Sequence, residues 1–402
     1  MPSGSDTRVV LTSYREVREA FRQRDLAQAQ YDVSAVVMAG TIMTLHGDDH
    51  RLRRRVENRL FRRGTFRWWE MNLVPSIVAE SLAPFLAEGR ADLIRLGHRT
   101  TMYLTALVAG VDLPATLEDA DALEKFAVTF SEGATLVHST RDPTEVNAEV
   151  EKSMAAFDTL FLEPSMRRRL ALLDAVTAGE LDEDELPRDV LMATLRYRDE
   201  LGMDRDAIRR EIAFYLQAGS HSTANLFAHA AHHIFTAMHD EGFAARLADQ
   251  RFLQRCVHEA LRLHPASPVA GRRALSDITL SSGRVLPAGT YVEFDLVKAN
   301  SDICMFGSDA AQFNPDRVVP ANAVPWGHSF GGGTHACIGM ELDGGVIPSP
   351  ESAPDHEHVF GTVTLMLRAL LEHGARPDPD HPPARDADTV RQNFSRYPVR
   401  FA

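Results

Sequence analysis

The chain has 402 residues, 44% of them hydrophobic and 25% charged, with a formal net charge of −13 from 43 basic and 56 acidic residues. This is the composition of a globular protein long enough to bury a sizeable core, and its acidic balance argues against general nucleic-acid binding. No run approaches the roughly 20 uninterrupted apolar residues that a bilayer helix needs. The N-terminus lacks a basic segment followed by an apolar one, and Cys256, Cys304 and Cys337 make no disulfide framework. A cytoplasmic protein with no membrane anchor is expected. Lysine occurs only at 125, 152 and 298, and an Arg- and Ala-rich, Lys-poor chain fits a GC-rich bacterial genome.

In chain order, residues 8–11 predict a short strand and 14–21 a helix, with Val17, Ala20 and Phe21 at helical spacing. From about 50 to 270 the pattern is nearly all helical, punctuated by Pro114, Pro143, Pro164 and Pro187. The longest helical run spans 204–238, with Asp204 at its start and Ile208, Ile212, Tyr215 and Leu216 on one apolar stripe. Around 268–297 the period changes to that of strands, at 278–280 and 291–294. Helix is expected again after Cys337 and over 358–373, and a last strand over 397–401. The chain has no repeats and no evident linker.

The most informative stretch is Phe330-Gly331-Gly332-Gly333-Thr334-His335-Ala336-Cys337-Ile338-Gly339. A thiolate at neutral pH needs positive surroundings or a metal. A glycine-rich loop entering a helix supplies N–H dipoles, and glycines let backbone approach a large flat ligand. The run resembles the haem-thiolate loop of cytochromes P450, F-G-x-G-x-H/R-x-C-x-G, with every fixed position filled. The resemblance covers about residue 8 to the end. It implies the P450 fold, mainly α with a small β region, as a single domain over 1–402, with haem b as cofactor. By the same resemblance Cys337 is the metal ligand, His335 reaches a haem propionate, Phe330 packs near the sulfur, and Gly331, Gly333 and Gly339 permit the turn.

Glu259-Ala260-Leu261-Arg262 places an acid and a base three apart on one helix face, followed by Leu-His-Pro as in the family. The resemblance joins Glu259 and Arg262 to Arg317 of Phe313-Asn314-Pro315-Asp316-Arg317 in a structural triad. His50 and Arg54 lie one helical turn apart, and Arg272 lies in a predicted strand; in the family these positions bind propionates. Arg273 should face the opposite way. Arg51, Arg55, Arg59 and Arg62 form a basic stripe that reads either as a solvated face or as a dock for an acidic electron-transfer partner.

The chain departs from the family in three places. Ala218-Gly219-Ser220-His221-Ser222-Thr223 occupies the oxygen-activation site, usually A-G-x-D/E-T-T. His221 stands for the acid and Ser222 for the threonine, so Ala218, Gly219, His221 and Ser222 are the expected catalytic set. His221 either relays protons near neutral pH or is satisfied within the helix packing; Thr223 is the alternative hydroxyl, about 100° round the helix. His229, His232 and His233 fall at metal spacing with no carboxylate or cysteine to complete a site. The N-terminal lead is short, and 344–357 reads as a loop insertion rich in proline and glycine. Apolar walls are expected from 34–43, Phe214 and 268–270.

These features imply a monooxygenase acting on a lipophilic small molecule (natural-product, terpenoid or steroid-like), monomeric, with electrons from a separate ferredoxin or flavodoxin-type donor. The missing acid leaves open a P450-fold peroxygenase, isomerase or dehydratase, and a non-catalytic haem-binding partner or sensor is the reading from another class.

Overall fold

In the computed structural model, which describes residues 8–348 and 357–402, most of the chain is helical and four small sheets complete it. The helix Arg205–Ala237 runs through the middle of the molecule. The Asp204 carboxylate caps it by accepting from the Ala207 N–H at 2.7 Å, satisfying one donor of its first turn. Its two halves serve two cores. Ile208, Ile212, Phe214 and Leu216 pack with Phe126, Phe130 and Phe157, whereas Leu226, Phe227, Ile234 and Phe235 pack with Leu93, Phe252 and Leu261. Between these stretches lies the segment from Gln217 to Asn225, which borders a cavity. Gly219 lets this segment approach the helix Leu93–Ala109, because a Cβ there would stand 2.9 Å from the Thr105 hydroxyl.

The largest sheet orders its strands Arg8–Leu11, Tyr291–Asp295, Val269–Ala274 and Leu26–Gln28; the first pair is parallel and the others antiparallel. Strand alternation buries Arg272 and turns Arg273 outward, where it donates to the Gly289 carbonyl at 3.0 Å. The terminal strand is Pro398–Arg400, paired with Arg90–Asp92 and Arg376–Pro377. The helix expected over 358–373 occupies Thr362–Glu372. After Cys337 a short helix, Met340–Gly344, stops where Gly345 adopts φ +73°. The expected loop begins there, and its 349–356 portion lies outside the described residues. Among the described residues no helix is long and apolar enough to cross a membrane.

Glu259, Arg262 and Arg317 assemble as one buried cluster. Arg262 grips Glu259 with two bonds of 2.7 Å and donates to the carbonyls of Asn300 and Ala310 at 2.6 and 2.7 Å. Arg317 reaches the same carboxylate at 3.1 Å and Asp309 at 2.7 Å. The Asn300 side chain accepts from the His328 N–H at 2.7 Å and donates to the Ser329 hydroxyl at 3.1 Å. The cluster is thereby wired to the residues that open the cysteine loop. Breaking a buried ion pair leaves the other charge uncompensated. Arg262→Met should therefore lower unfolding free energy by about 3–5 kcal/mol in urea denaturation; a loss below about 1 kcal/mol would contradict this role.

Candidate haem-thiolate site

Residues of the cysteine loop and of the long helix face each other across a cavity of about 510 Å³. The loop is held by backbone bonds, Cys337 N–H to the Phe330 carbonyl at 2.9 Å and Gly331 N–H to the His328 carbonyl at 2.8 Å. Gly331 and Gly333 both have positive φ, +66° and +63°. At Gly333 a Cβ would in addition collide with the Phe21 carbonyl, so this glycine shapes the turn from outside the cavity wall. Cys337, Ile338, Gly339, Phe330 and Gly331 all line the cavity. Burial pushes the Cys337 thiol up to about 11, while the Gly339 N–H and, more weakly, Arg54 favour the thiolate. A cation bound to the sulfur would reverse that balance.

At one end the wall carries His50, Arg54, Arg272 and His335. The His50 and His335 rings lie 4.1 Å apart. Arg54 donates to the Ala336 carbonyl at 2.8 Å and Arg272 to the Gly271 carbonyl at 2.9 Å; neither has an ion-pair partner among the described residues. Burial lowers Arg272 to about 10 and His335 to about 3, and it lowers His50 as well, whose Nε2 has no partner among the described residues. A thiol open to the cavity, beside guanidinium and imidazole groups that have no ion-pair partner among the described residues, suits a flat iron ligand that carries carboxylates. The residues present fit haem.

The helix Gly47–Glu57, which carries His50 and Arg54, is pinned by a network that its sequence pattern did not reveal. Arg53 pairs with Glu211, Tyr215 donates to Glu57, and the Ile42 N–H reaches both Glu211 oxygens at 3.2 Å. Burial, reinforced by the neighbouring Glu211 charge, raises Glu57 well above the usual carboxylate range; Glu211, also raised by burial, stands at about 7. The basic stripe is largely engaged: Arg51 pairs with Asp48, Arg55 with Glu200 at 2.5 Å, and Arg59 bonds the Tyr197 hydroxyl.

Across the cavity stand Ala218, Gly219, Ser222 and Thr223. The Ser222 hydroxyl donates to the Ala218 carbonyl at 2.7 Å. His221 is not in the wall. Its ring lies 5.4 Å from that of His98 and its Nε2 is 3.2 Å from the Asn225 amide, and burial pushes it well below its usual range. The expectation that it titrates near neutrality is corrected: a deeply packed imidazole stays neutral. Thr223, in contrast, borders the cavity, and so does Asp343, whose carboxyl burial raises to about 6. The expected apolar walls contribute Met38, Ile42, Met43, Phe214, Pro268 and Ala270. No metal-binding cluster forms at His229, His232 and His233 among the described residues; His229 stacks on His264 at 4.0 Å.

Residues 236–342 match the sequence profile of the family Cytochrome P450. A curated relative, cytochrome P450 monooxygenase milC of Cordyceps militaris, is 31% identical over 40% of this chain and 32% of its own length. The bifunctional cytochrome P450/NADPH–P450 reductase 2 of Bacillus subtilis is 27% identical over 43% of this chain and 18% of its own. These alignments thus cover about a third or less of the relatives' length. The crystal structure of P450BioI, in complex with hexadec-9Z-enoic acid ligated acyl carrier protein, superposes with TM-score 0.74 at 17% identity, covering 98% of this chain and 92% of that one. CYP109E1 from Bacillus megaterium, in complex with testosterone, gives TM-score 0.71 at 17% identity over the same shares. The chain has the cytochrome P450 fold and carries that family's sequence signature.

Because Asp343 is held protonated more tightly in the folded protein than in the unfolded chain, its ionisation costs stability as pH rises past the unfolded value of about 4 and reaches full cost above about 6. Asp343→Asn should therefore stabilise the apoprotein by about 3 kcal/mol at pH 7.5, with the gap closing toward pH 4. Chemical denaturation at the two pH values checks this; equal stabilities at pH 7.5 would contradict it.

Proposed function

We propose that this chain is a haem-thiolate monooxygenase that oxidises a lipophilic small molecule, of natural-product, terpenoid or steroid type. Electrons come from a separate ferredoxin or flavodoxin-type donor. The observation that carries the reading is the Cys337 thiol, set in a glycine-framed loop and opening into a largely apolar cavity edged by His50, Arg54, Arg272 and His335. Bound there, haem b supplies the dioxygen chemistry. The protein's part is to hold and to exclude. Cys337 holds the iron, supported by the Gly339 N–H. Arg54 and Arg272 hold carboxylates through charge-assisted bonds, with His50 and His335 beside them. Phe214, Ile42 and Met38 keep water away from the reacting carbon.

Proton handling rests on hydroxyls in the opposite wall. Ser222 can turn its proton from the Ala218 carbonyl toward the cavity, and Asp343 in the same lining, raised by burial to about 6, can carry a second. The mutual likeness to P450BioI bearing a fatty acyl ligand and to CYP109E1 bearing testosterone supports a lipophilic substrate. A second reading, a peroxygenase, isomerase or dehydratase on the same fold, is favoured by one observation: the position of the usual acid holds His221, packed against His98 outside the cavity.

Under the monooxygenase reading, product forms with reductant, electron donor and dioxygen. Ser222→Ala should lower the fraction of electrons that reach product by about tenfold or more, read as product formed per NAD(P)H consumed. Turnover with peroxide alone, or rearrangement without oxygen uptake, would instead establish the second reading.

A further inference from the structure

One charged side chain in the cavity wall belongs to neither the expected haem set nor the proton-handling set. Arg391 lies in the connection between the antiparallel strands Ala384–Arg385 and Phe394–Arg396. That connection is pinned to the segment following the helix Leu117–Ala134. The Val390 N–H donates to the His138 carbonyl at 2.9 Å, the Thr389 hydroxyl donates to the same carbonyl at 3.0 Å, and the Thr140 N–H donates to the Asp388 carbonyl at 3.0 Å. The Arg391 N–H is itself tied to the Thr389 hydroxyl at 3.2 Å. The backbone that carries this guanidinium is therefore held at several points.

The guanidinium has no such partner. Among the described residues it forms no ion pair and no side-chain hydrogen bond, and its Nε is buried and unsatisfied. Burial lowers it to about 10, so it stays charged at neutral pH. The Tyr31 phenol and the Asp386 carboxyl are the groups that favour its charge, and neither bonds it. Its charge reaches His138 and His221, which burial already holds neutral. The face it shows is the cavity, among Val390, Ala134, Thr135 and Tyr31. This contrasts with the buried Arg169, which is closed by Asp189 at 2.7 Å. A buried cation without a counter-ion is costly, and its planar fork of donors matches a carboxylate in two parallel bonds.

We infer that Arg391 is a specificity-determining residue, and that the substrate joins a lipophilic body to a carboxylate which this guanidinium receives. This rests on the haem-thiolate reading for the cavity's purpose and adds the class of substrate. The apolar wall takes the hydrocarbon, and the single unpaired cation on the pinned connection fixes which end of the molecule faces it. A neutral lipophile of the same shape would leave the guanidinium desolvated and unpaired, so it binds more weakly.

Decanoate and methyl decanoate, titrated calorimetrically into the haem-loaded protein at pH 7.5, test this directly. The wild type should bind the acid about 10- to 100-fold more tightly than the ester. Arg391→Leu should remove that preference by weakening the acid alone, and Arg391→Lys should restore part of it. Equal affinity for acid and ester in the wild type would overturn the assignment. So would Arg391→Leu weakening both ligands equally, or stripping haem from the protein, since the residue would then support the fold or a propionate. Absence of a haem-thiolate spectrum in the wild type would count against the proposed function instead, and calorimetry reads the acid-to-ester ratio independently of it.

Discussion

Uncompensated positive charge around one cavity is the constraint that organises this molecule. Desolvating a guanidinium without a counter-ion costs several kcal/mol, and elsewhere the chain avoids it. Arg53 meets Glu211, Arg169 meets Asp189, and Arg262 and Arg317 share Glu259. Three arginines of the cavity wall, Arg54, Arg272 and Arg391, have no acid partner among the described residues. The paired arginines hold elements together. The unpaired ones await charge that arrives with a ligand.

That arrangement survives only if the surrounding elements are rigid. Two buried polar networks supply rigidity from opposite sides. Beneath the cysteine loop, Arg262 binds the Asn300 carbonyl and Asn300 binds His328 and Ser329, so the loop's first residues inherit the position of the Glu259 cluster. On the far side, Glu211 of the long helix takes both Arg53 and the Ile42 N–H. This fixes the helix that presents His50 and Arg54. The long helix joins the two, with hydrophobic cores on either side of its polar middle.

What could be read from the chain beforehand follows from how local the signal is. The cysteine loop, the helix Arg205–Ala237 and the strand Val269–Ala274 are visible because spacing and residue type over a few positions determine them. Arg53, between His50 and Arg54, carries no local signal because its partner Glu211 lies 158 positions away. Arg391 carries no motif at all; its meaning comes from being left unpaired after the terminal connection docks on His138. The fate of His221 depended on which neighbour the helix Leu93–Ala109 offered, and His98 supplied an imidazole face where the cavity had been expected. Asp343 lines the same cavity as Thr223, a proximity that periodicity cannot report. Helix and strand content were thus legible, the ligand-holding end partly so, and the proton and substrate groups mostly not.

The central claim is that Cys337 faces the cavity as a ligand to haem iron. The absorption spectrum of the reduced, carbon monoxide-bound protein tests it most directly, compared between wild type and Cys337→Ser. The account predicts the long-wavelength Soret band of a thiolate-ligated haem in the wild type and its loss in the variant. A band unchanged by the substitution, or absent from wild-type protein supplied with haem, would contradict it.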